Sequence, residues 1–126
     1  MPGLKKAEID GRLEEASIDM VYVTCVNDGA VMTAWKKDQG LAGSELIEFV
    51  ADTQGALTEA LDLAITHPGP HENLGKTIRC KRAAMLVEHG VIKVVSIAEA
   101  PDDPAGDDHP EASCIENMLK LASAVA

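Results

Sequence analysis

The chain has 126 residues and a mass of 13.3 kDa, with 46% hydrophobic, 25% charged and only 2% aromatic residues. This composition predicts one soluble domain over residues 1–126, with a core of aliphatic side chains and methionine. The net charge of −10 disfavours nucleic acids and anionic membranes as partners, because both are negatively charged. Three cysteines without a C-x-x-C pair indicate neither a disulfide scaffold nor a zinc ribbon, and they fit a reducing compartment, either the cytoplasm or an organelle matrix.

The first half of the chain alternates predicted helices and strands. Apolar spacing predicts a helix over residues 4–16, although Gly11 weakens its middle, and then a buried strand over residues 19–26. A helix over residues 29–38 and a short strand over residues 46–51 follow. Four residues at helical spacing indicate the next helix: Leu57, Ala60, Leu61 and Ala64.

The second half contains a predicted hairpin and a last helix. Strands over residues 77–87 and 91–97 flank a short turn, which predicts an antiparallel pair. Residues 99–112 are rich in aspartate and proline and are expected to form a solvated loop. The last helix is predicted to begin at Ser113, which would form a capping box with Glu116.

Four short motifs occur along these elements in an order known from one family: Val26-Asn27-Asp28, Ala34-Trp35, Ala51-Asp52 with Gly55-Ala56, and Lys81-Arg82 before a hydrophobic strand. This order resembles the type II peroxiredoxins, the atypical two-cysteine, peroxiredoxin-5-like thiol peroxidases. The resemblance implies an α/β, thioredoxin-like fold with a mixed sheet and flanking helices. It also implies peroxide reduction in cell redox homeostasis, a thiol reductant as partner, and no cofactor.

The resemblance leaves out the segment that carries the peroxide-attacking cysteine in this family. That motif reads P-x-x-x-T-x-x-C, whereas this chain opens at Met1-Pro2-Gly3-Leu4. We therefore expect a truncated peroxiredoxin, in which the strand over residues 19–26 lacks its usual neighbour. Unsatisfied buried backbone groups cost about 1–3 kcal/mol each, so this strand is expected to pair with the hairpin or with a second copy in a homo-oligomer.

Arg82, Cys80 and Cys114 are the candidate catalytic residues. By resemblance, Arg82 matches the arginine that stabilises the thiolate and orients the peroxide, and the alternative is an arginine kept for a structural ion pair. Cys80 precedes Arg82 by two residues, so a regular strand would place both side chains on one face. The pattern Thr77-x-x-Cys80 is interpreted as a coincidence, because the attacking cysteine of the family opens a helix.

Cys114 stands where some type II members carry a second, resolving cysteine. Because it follows the predicted N-cap Ser113, the helix dipole should favour its thiolate, and we expect it to be alkylated before the other two thiols. The alternative is a thiol that is tolerated at a helix start. Cys25 lies in the predicted buried strand and is expected to act as a small hydrophobic residue.

No metal site is predicted from the sequence. His67 and His71 flank Pro68-Gly69-Pro70, which cannot present two imidazoles on one helical face. The acidic stretch over residues 102–108 lacks the alternating ligands and the final glutamate of a calcium loop.

Three functions are compatible with the sequence. The first is a peroxiredoxin-like thiol peroxidase whose activity is weak or lost. The second is a non-catalytic homo-oligomeric or binding subunit that retains the fold. The third is a piece of a longer or split enzyme, in which another chain supplies the missing segment.

Overall fold

A computed structural model describes residues 3–65, 79–98 and 110–125 of the protein. Two compact units divide the chain: a central unit, Met20–Lys81, and a terminal unit, Met1–Asp19 with Arg82–Ala126. The prediction of one domain over the whole chain stays a prediction. No helix within the described ranges has the length and apolar character needed to cross a membrane.

Helices and strands are mixed along the described part of the chain. In order they are α1 (Leu4–Ile9), α2 (Arg12–Glu15), β1 (Val21–Cys25), α3 (Gly29–Asp38), β2 (Ile47–Ala51), α4 (Ala56–Ala60), β3 (Ala83–Glu88), β4 (Val91–Ile97), a 3₁₀ turn (Pro110–Ser113) and α5 (Ile115–Val125). The predicted helix over residues 29–38 and the predicted strand over residues 46–51 are thus confirmed. The helix predicted from Leu57 onward is shorter than its apolar spacing suggested.

The central unit contains a two-stranded parallel sheet. β1 and β2 pair in a register that places Cys25 opposite Ala51, at the carboxyl end of both strands. The intervening helix α3 begins at the N-cap Asp28, whose carboxylate accepts a hydrogen bond of 2.9 Å from the amide of Val31. The ring of Trp35 on α3 meets Phe49 of β2 edge to face, with centroids 5.1 Å apart. Capping and aromatic packing together fix the helix against the sheet.

The prediction that the strand over residues 19–26 is buried on both faces is wrong. Side chains of β1 alternate between half-buried and exposed, and Tyr22 is 66% exposed. Among the described strands β1 pairs with β2 alone, so the predicted pairing with the hairpin is not found. β2, the strand that follows α3, pairs with the backbone groups along one edge of β1. Pairing with a second copy stays a prediction.

The terminal unit begins with two short helices where one was predicted. Gly11 has a φ of +80°, a left-handed conformation that ends the first helix and precedes α2. Leu13 is fully buried, but Ile9, predicted to share its face, is 74% exposed. The guanidinium of Arg12 donates to Glu116 at 2.8 Å and to Asp10 at 3.1 Å, and both carboxylates raise its pKa.

The predicted antiparallel hairpin is confirmed in this unit. β3 and β4 pair around His89 and Gly90, which have φ values of +50° and +78°. Positive φ at both central positions is the geometry of a tight two-residue hairpin turn. The first strand begins later than predicted, at Ala83.

The last helix also begins later than predicted. A 3₁₀ turn precedes it, and the carbonyl of Cys114 accepts the first helical hydrogen bond, from the amide of Met118 at 3.1 Å. The predicted capping box is wrong, because the hydroxyl of Ser113 donates to the carbonyl of Pro110 at 3.3 Å. The carboxylate of Glu116 instead binds Arg12.

Candidate functional site

Two cysteine thiols meet within the central unit. The sulfurs of Cys25 and Cys80, here called the dithiol pair, lie 3.8 Å apart and both side chains are partly buried. The two residues are 55 positions apart in the sequence. Sequence reasoning missed this contact and assigned Cys25 to a hydrophobic role, because no spacing motif connects the two positions.

A short antiparallel bridge holds the backbone of Cys80. The residue pairs with Ala64, and two hydrogen bonds flank the bridge. The amide of Ile65 donates to the carbonyl of Arg79 at 2.8 Å, and the amide of Lys81 donates to the carbonyl of Leu63 at 2.7 Å. Local sequence does not encode this pairing, since it joins segments on either side of a long intervening stretch.

The end of β1 holds Cys25. Its carbonyl accepts hydrogen bonds from the amides of Asn27 at 2.9 Å and Asp52 at 3.0 Å. The buried carboxylate of Asp52 accepts from the side chain of Thr58 at 2.7 Å and from the amides of Thr58 and Leu57 at 2.8 and 3.1 Å. Burial raises the pKa of the Asp52 carboxyl, but the hydrogen bonds from Thr58 and Leu57 outweigh it and hold the pKa below its usual value.

The two thiols have different hydrogen-bond donors. The side-chain amide of Asn27 donates to the sulfur of Cys25 at 3.4 Å. The hydrogen bond with Cys25 raises the pKa of Cys80, and burial and the charge of Cys25 act in the same direction, against a weaker effect of the Val26 amide. The raised pKa favours the protonated thiol of Cys80, which can donate a hydrogen bond to the sulfur of Cys25.

Arg82 belongs to the terminal unit and lies in a bend before β3, with its side chain exposed. Its carbonyl accepts a hydrogen bond of 2.8 Å from the amide of Ala98. The expectation that Cys80 and Arg82 share one face of a regular strand is wrong. Cys80 lies in an isolated bridge, and β3 begins only after Arg82.

Cys114 lies at the N-cap position of α5 in the terminal unit. Its thiol donates to the carbonyl of Pro110 at 3.3 Å. This contact makes the sulfur a hydrogen-bond donor, whereas the expectation of a favoured thiolate needs a sulfur that accepts. The 3₁₀ turn sets this orientation, because it places the carbonyl of Pro110 next to the sulfur.

Within the described residues, no three or more His, Cys, Asp or Glu side chains are grouped so as to hold a metal ion. His67, His71 and the acidic stretch over residues 102–108 lie outside the described residues.

Comparison with known proteins identifies relatives of this chain. The family model described as Redoxin matches residues 3–113. The chain is 36% identical over 103 residues to the hybrid peroxiredoxin hyPrx5 of Haemophilus influenzae, covering 82% of this chain and 38% of that protein. It is 33% identical over 109 residues to a peroxiredoxin of Rhizobium etli, covering 86% of this chain and 57% of that protein. This chain thus spans about half, or less, of these relatives.

Solved structures of peroxiredoxins are also similar to this chain. Oxidized Prx3 from Vibrio vulnificus superposes with a TM-score of 0.73 at 29% identity, covering 96% of this chain and 66% of that one. Reduced Prx3 from the same organism, in complex with hydrogen peroxide, gives a TM-score of 0.70 at 28% identity and covers 92% and 63%. The predicted α/β, thioredoxin-like fold is confirmed by this likeness.

Proposed function

We propose that this chain is a thiol-dependent peroxidase of weak activity. The chain belongs to the redoxin family and is of the peroxiredoxin type. The observation that carries the proposal is the family match over residues 3–113. One structural relative, reduced Prx3, is described in complex with hydrogen peroxide. The proposed partners are a hydroperoxide as substrate and a small or protein thiol as reductant, in a reducing compartment such as the cytoplasm.

The expected weakness follows from the surroundings of the candidate thiols. Fast attack on peroxide requires a thiolate held by several preorganised donors. The pKa of Cys80 is raised, first by its hydrogen bond with Cys25, which opposes its ionisation. The thiol of Cys114 donates a hydrogen bond to the carbonyl of Pro110. Neither cysteine alone therefore has the surroundings of a fast nucleophile.

A coupled peroxide assay tests the proposal. The wild type and a variant with all three cysteines replaced by serine are compared at equal concentration, with dithiothreitol as reductant. We expect the wild type to consume hydrogen peroxide slowly but measurably above the cysteine-free variant. Equal rates for the two proteins would contradict the proposal.

Arg82 is proposed to supply a fixed positive charge for the peroxide. Its exposure is compatible with this role. In the same assay Arg82→Ala should lower the rate about tenfold, while Arg82→Lys should retain part of the rate because it keeps the charge. Unchanged rates in both variants would favour the alternative of a structural arginine.

The second candidate function is a non-catalytic homo-oligomeric subunit. Its support is a partly apolar face of β4, where even spacing places the exposed side chains of Val91, Val95 and Ile97 together with Lys93. Among the described strands β4 pairs only with β3, so it is an edge strand of its sheet.

Sedimentation velocity tests this oligomer. We expect a dimer or larger species at micromolar concentration, and Val95→Lys should weaken the association. The matched control Thr33→Lys places the same charge on an exposed position of α3 and should leave the association unchanged. A monomer at every concentration would contradict the oligomer, whatever the result of the peroxide assay.

A further inference from the structure

The dithiol pair has two features that the roles assigned to single cysteines do not use. The two sulfurs are in contact at 3.8 Å, although the residues are distant in sequence. Their surroundings differ, since the side-chain amide of Asn27 donates to Cys25, whereas the backbone amide of Val26 acts on Cys80. Both features lie within the central unit, so they depend on one compact part of the chain.

We propose that Cys25 and Cys80 form a redox-active pair, in which Cys25 attacks a hydroperoxide and Cys80 then closes a disulfide with it. The inference rests on the proposed peroxidase function, because that function supplies the hydroperoxide that oxidises the pair. It assigns the attack to Cys25 and the closing of the disulfide to Cys80.

The side-chain donor of Asn27 favours Cys25 as the attacking sulfur. A thiolate at Cys25 would accept hydrogen bonds from the side-chain amide of Asn27 and from the thiol of Cys80. Donors to an anionic sulfur stabilise it and favour the nucleophilic form. Cys80 is the complementary partner, because the hydrogen bond to Cys25 and burial raise its pKa and keep its proton in place.

The geometry also allows the second step. A disulfide bond is about 2.05 Å long, so the two sulfurs must approach by about 1.8 Å. Rotation of a cysteine side chain between staggered positions moves its sulfur by more than this distance. The hydrogen bonds around the carbonyl of Cys25 and the bridge at Cys80 hold both backbones at the pair.

The chemistry balances with the hydroperoxide as the only oxidant. The sulfur of Cys25 attacks the terminal peroxide oxygen, an S–O bond forms, the O–O bond breaks, and the leaving oxygen takes a proton as water or alcohol. Cys80 then attacks the sulfur of the sulfenic acid, an S–S bond forms, the S–O bond breaks, and hydroxide leaves as water with the proton of Cys80. Two thiols lose two electrons and the peroxide gains them.

The closing step is tested in Cys114→Ser, which retains only the two thiols of the pair. One equivalent of hydrogen peroxide should remove both thiols, lower the mass by two hydrogen atoms and yield one crosslinked peptide that contains residues 25 and 80. Oxidation that produces only intermolecular dimers, or that leaves both thiols titratable, would overturn the proposal.

The attacking residue is tested by trapping sulfenic acid with dimedone in two further variants. In Cys80→Ser, with serine also at position 114, the label should accumulate on Cys25. In Cys25→Ser, with the same background, Cys80 should be labelled at least tenfold more slowly. Faster labelling of Cys80 than of Cys25 would reverse the assignment and overturn it.

A parallel oxidation with diamide separates this inference from the proposed function. Diamide oxidises dithiols without peroxide, so it should close the same disulfide. If wild type consumes peroxide but neither oxidant joins Cys25 to Cys80, the pair is overturned and the peroxidase function stands. If diamide closes the bond but no variant consumes peroxide, the peroxidase function is overturned and the attack by Cys25 with it.

Discussion

The dithiol pair of the central unit and Cys114 of the terminal unit are thiols in opposite surroundings. At the pair, Asn27 donates a hydrogen bond to the sulfur of Cys25. At the start of α5, the sulfur is itself the donor, and the carbonyl of Pro110 accepts. The two regions thus differ in the direction of a hydrogen bond at sulfur, since Cys25 accepts one from a side-chain amide and Cys114 donates one to a carbonyl.

The largest expected difference between the two regions concerns stability after oxidation. A disulfide between Cys25 and Cys80 would close a long loop and should raise the free energy of unfolding by about 2–4 kcal/mol. Thermal unfolding of oxidised and reduced protein measures the difference. Cys114→Ser should show the same gain as wild type, whereas Cys80→Ser should show none. An equal gain in Cys80→Ser would mean that the oxidised bond lies elsewhere.

The second effect concerns Asp52, whose amide donates a hydrogen bond to the carbonyl of Cys25. Asp52→Ala leaves the buried donors of Thr58 and the part-buried amide of Leu57 without their acceptor and should lower the free energy of unfolding by about 1–3 kcal/mol at pH 7. Because the folded-state pKa of Asp52 lies below its unfolded value near 3.9, its contribution is present above that pH and is lost as the pH falls further.

Chemical denaturation between pH 3 and pH 7 measures this effect, and the difference between wild type and Asp52→Ala should shrink in acid. The matched control Asp38→Ala removes an exposed carboxylate at the end of α3 and should change stability by less than about 0.5 kcal/mol. Equal losses in the two variants would show that the buried hydrogen bonds of Asp52 are not the cause.

The third effect tests the donor that distinguishes the pair. Asn27→Ala removes the hydrogen bond to the sulfur of Cys25, worth about 1 kcal/mol, and should slow alkylation of Cys25 about fivefold. Time-resolved labelling followed by mass spectrometry measures the rate, and Cys114 in the same molecule serves as an internal control. A slower rate at both cysteines would indicate a general loss of structure rather than a lost donor.

The same labelling experiment tests the ranking expected from the sequence. Cys114 was predicted to be alkylated first because it begins a helix. The structure favours Cys25, since its sulfur accepts a hydrogen bond and the sulfur of Cys114 donates one. Faster labelling of Cys114 would restore the sequence-based ranking and weaken the case for the pair.

Sequence patterns predicted the elements whose information is local. The helix over residues 29–38 was predicted correctly because Val31 and Trp35 lie one turn apart, and its N-cap Asp28 is equally local. The hairpin was predicted for a similar reason, since His89 and Gly90 accept the positive φ of a tight turn.

Sequence patterns failed where the hydrogen-bond partner was not the one that the local motif specifies. Ser113 resembled an N-cap, but the 3₁₀ turn drew its hydroxyl to the carbonyl of Pro110. The contact between Cys25 and Cys80 depends on the bridge at Ala64, and no local motif encodes that pairing. The family resemblance named the fold and Arg82, but it carried no signal for this pair because it was read from short linear motifs.

The smallest expected effect lies at Cys114. Cys114→Ser keeps a donor for the carbonyl of Pro110 and should leave the free energy of unfolding within about 0.5 kcal/mol of wild type. Cys114→Ala removes the donor and should cost up to about 1 kcal/mol. Denaturant unfolding of the two variants under reducing conditions measures the contrast. If alanine and serine are equivalent, the hydrogen bond to Pro110 contributes nothing to stability, and the difference in surroundings between Cys114 and the dithiol pair is smaller than the geometry indicates.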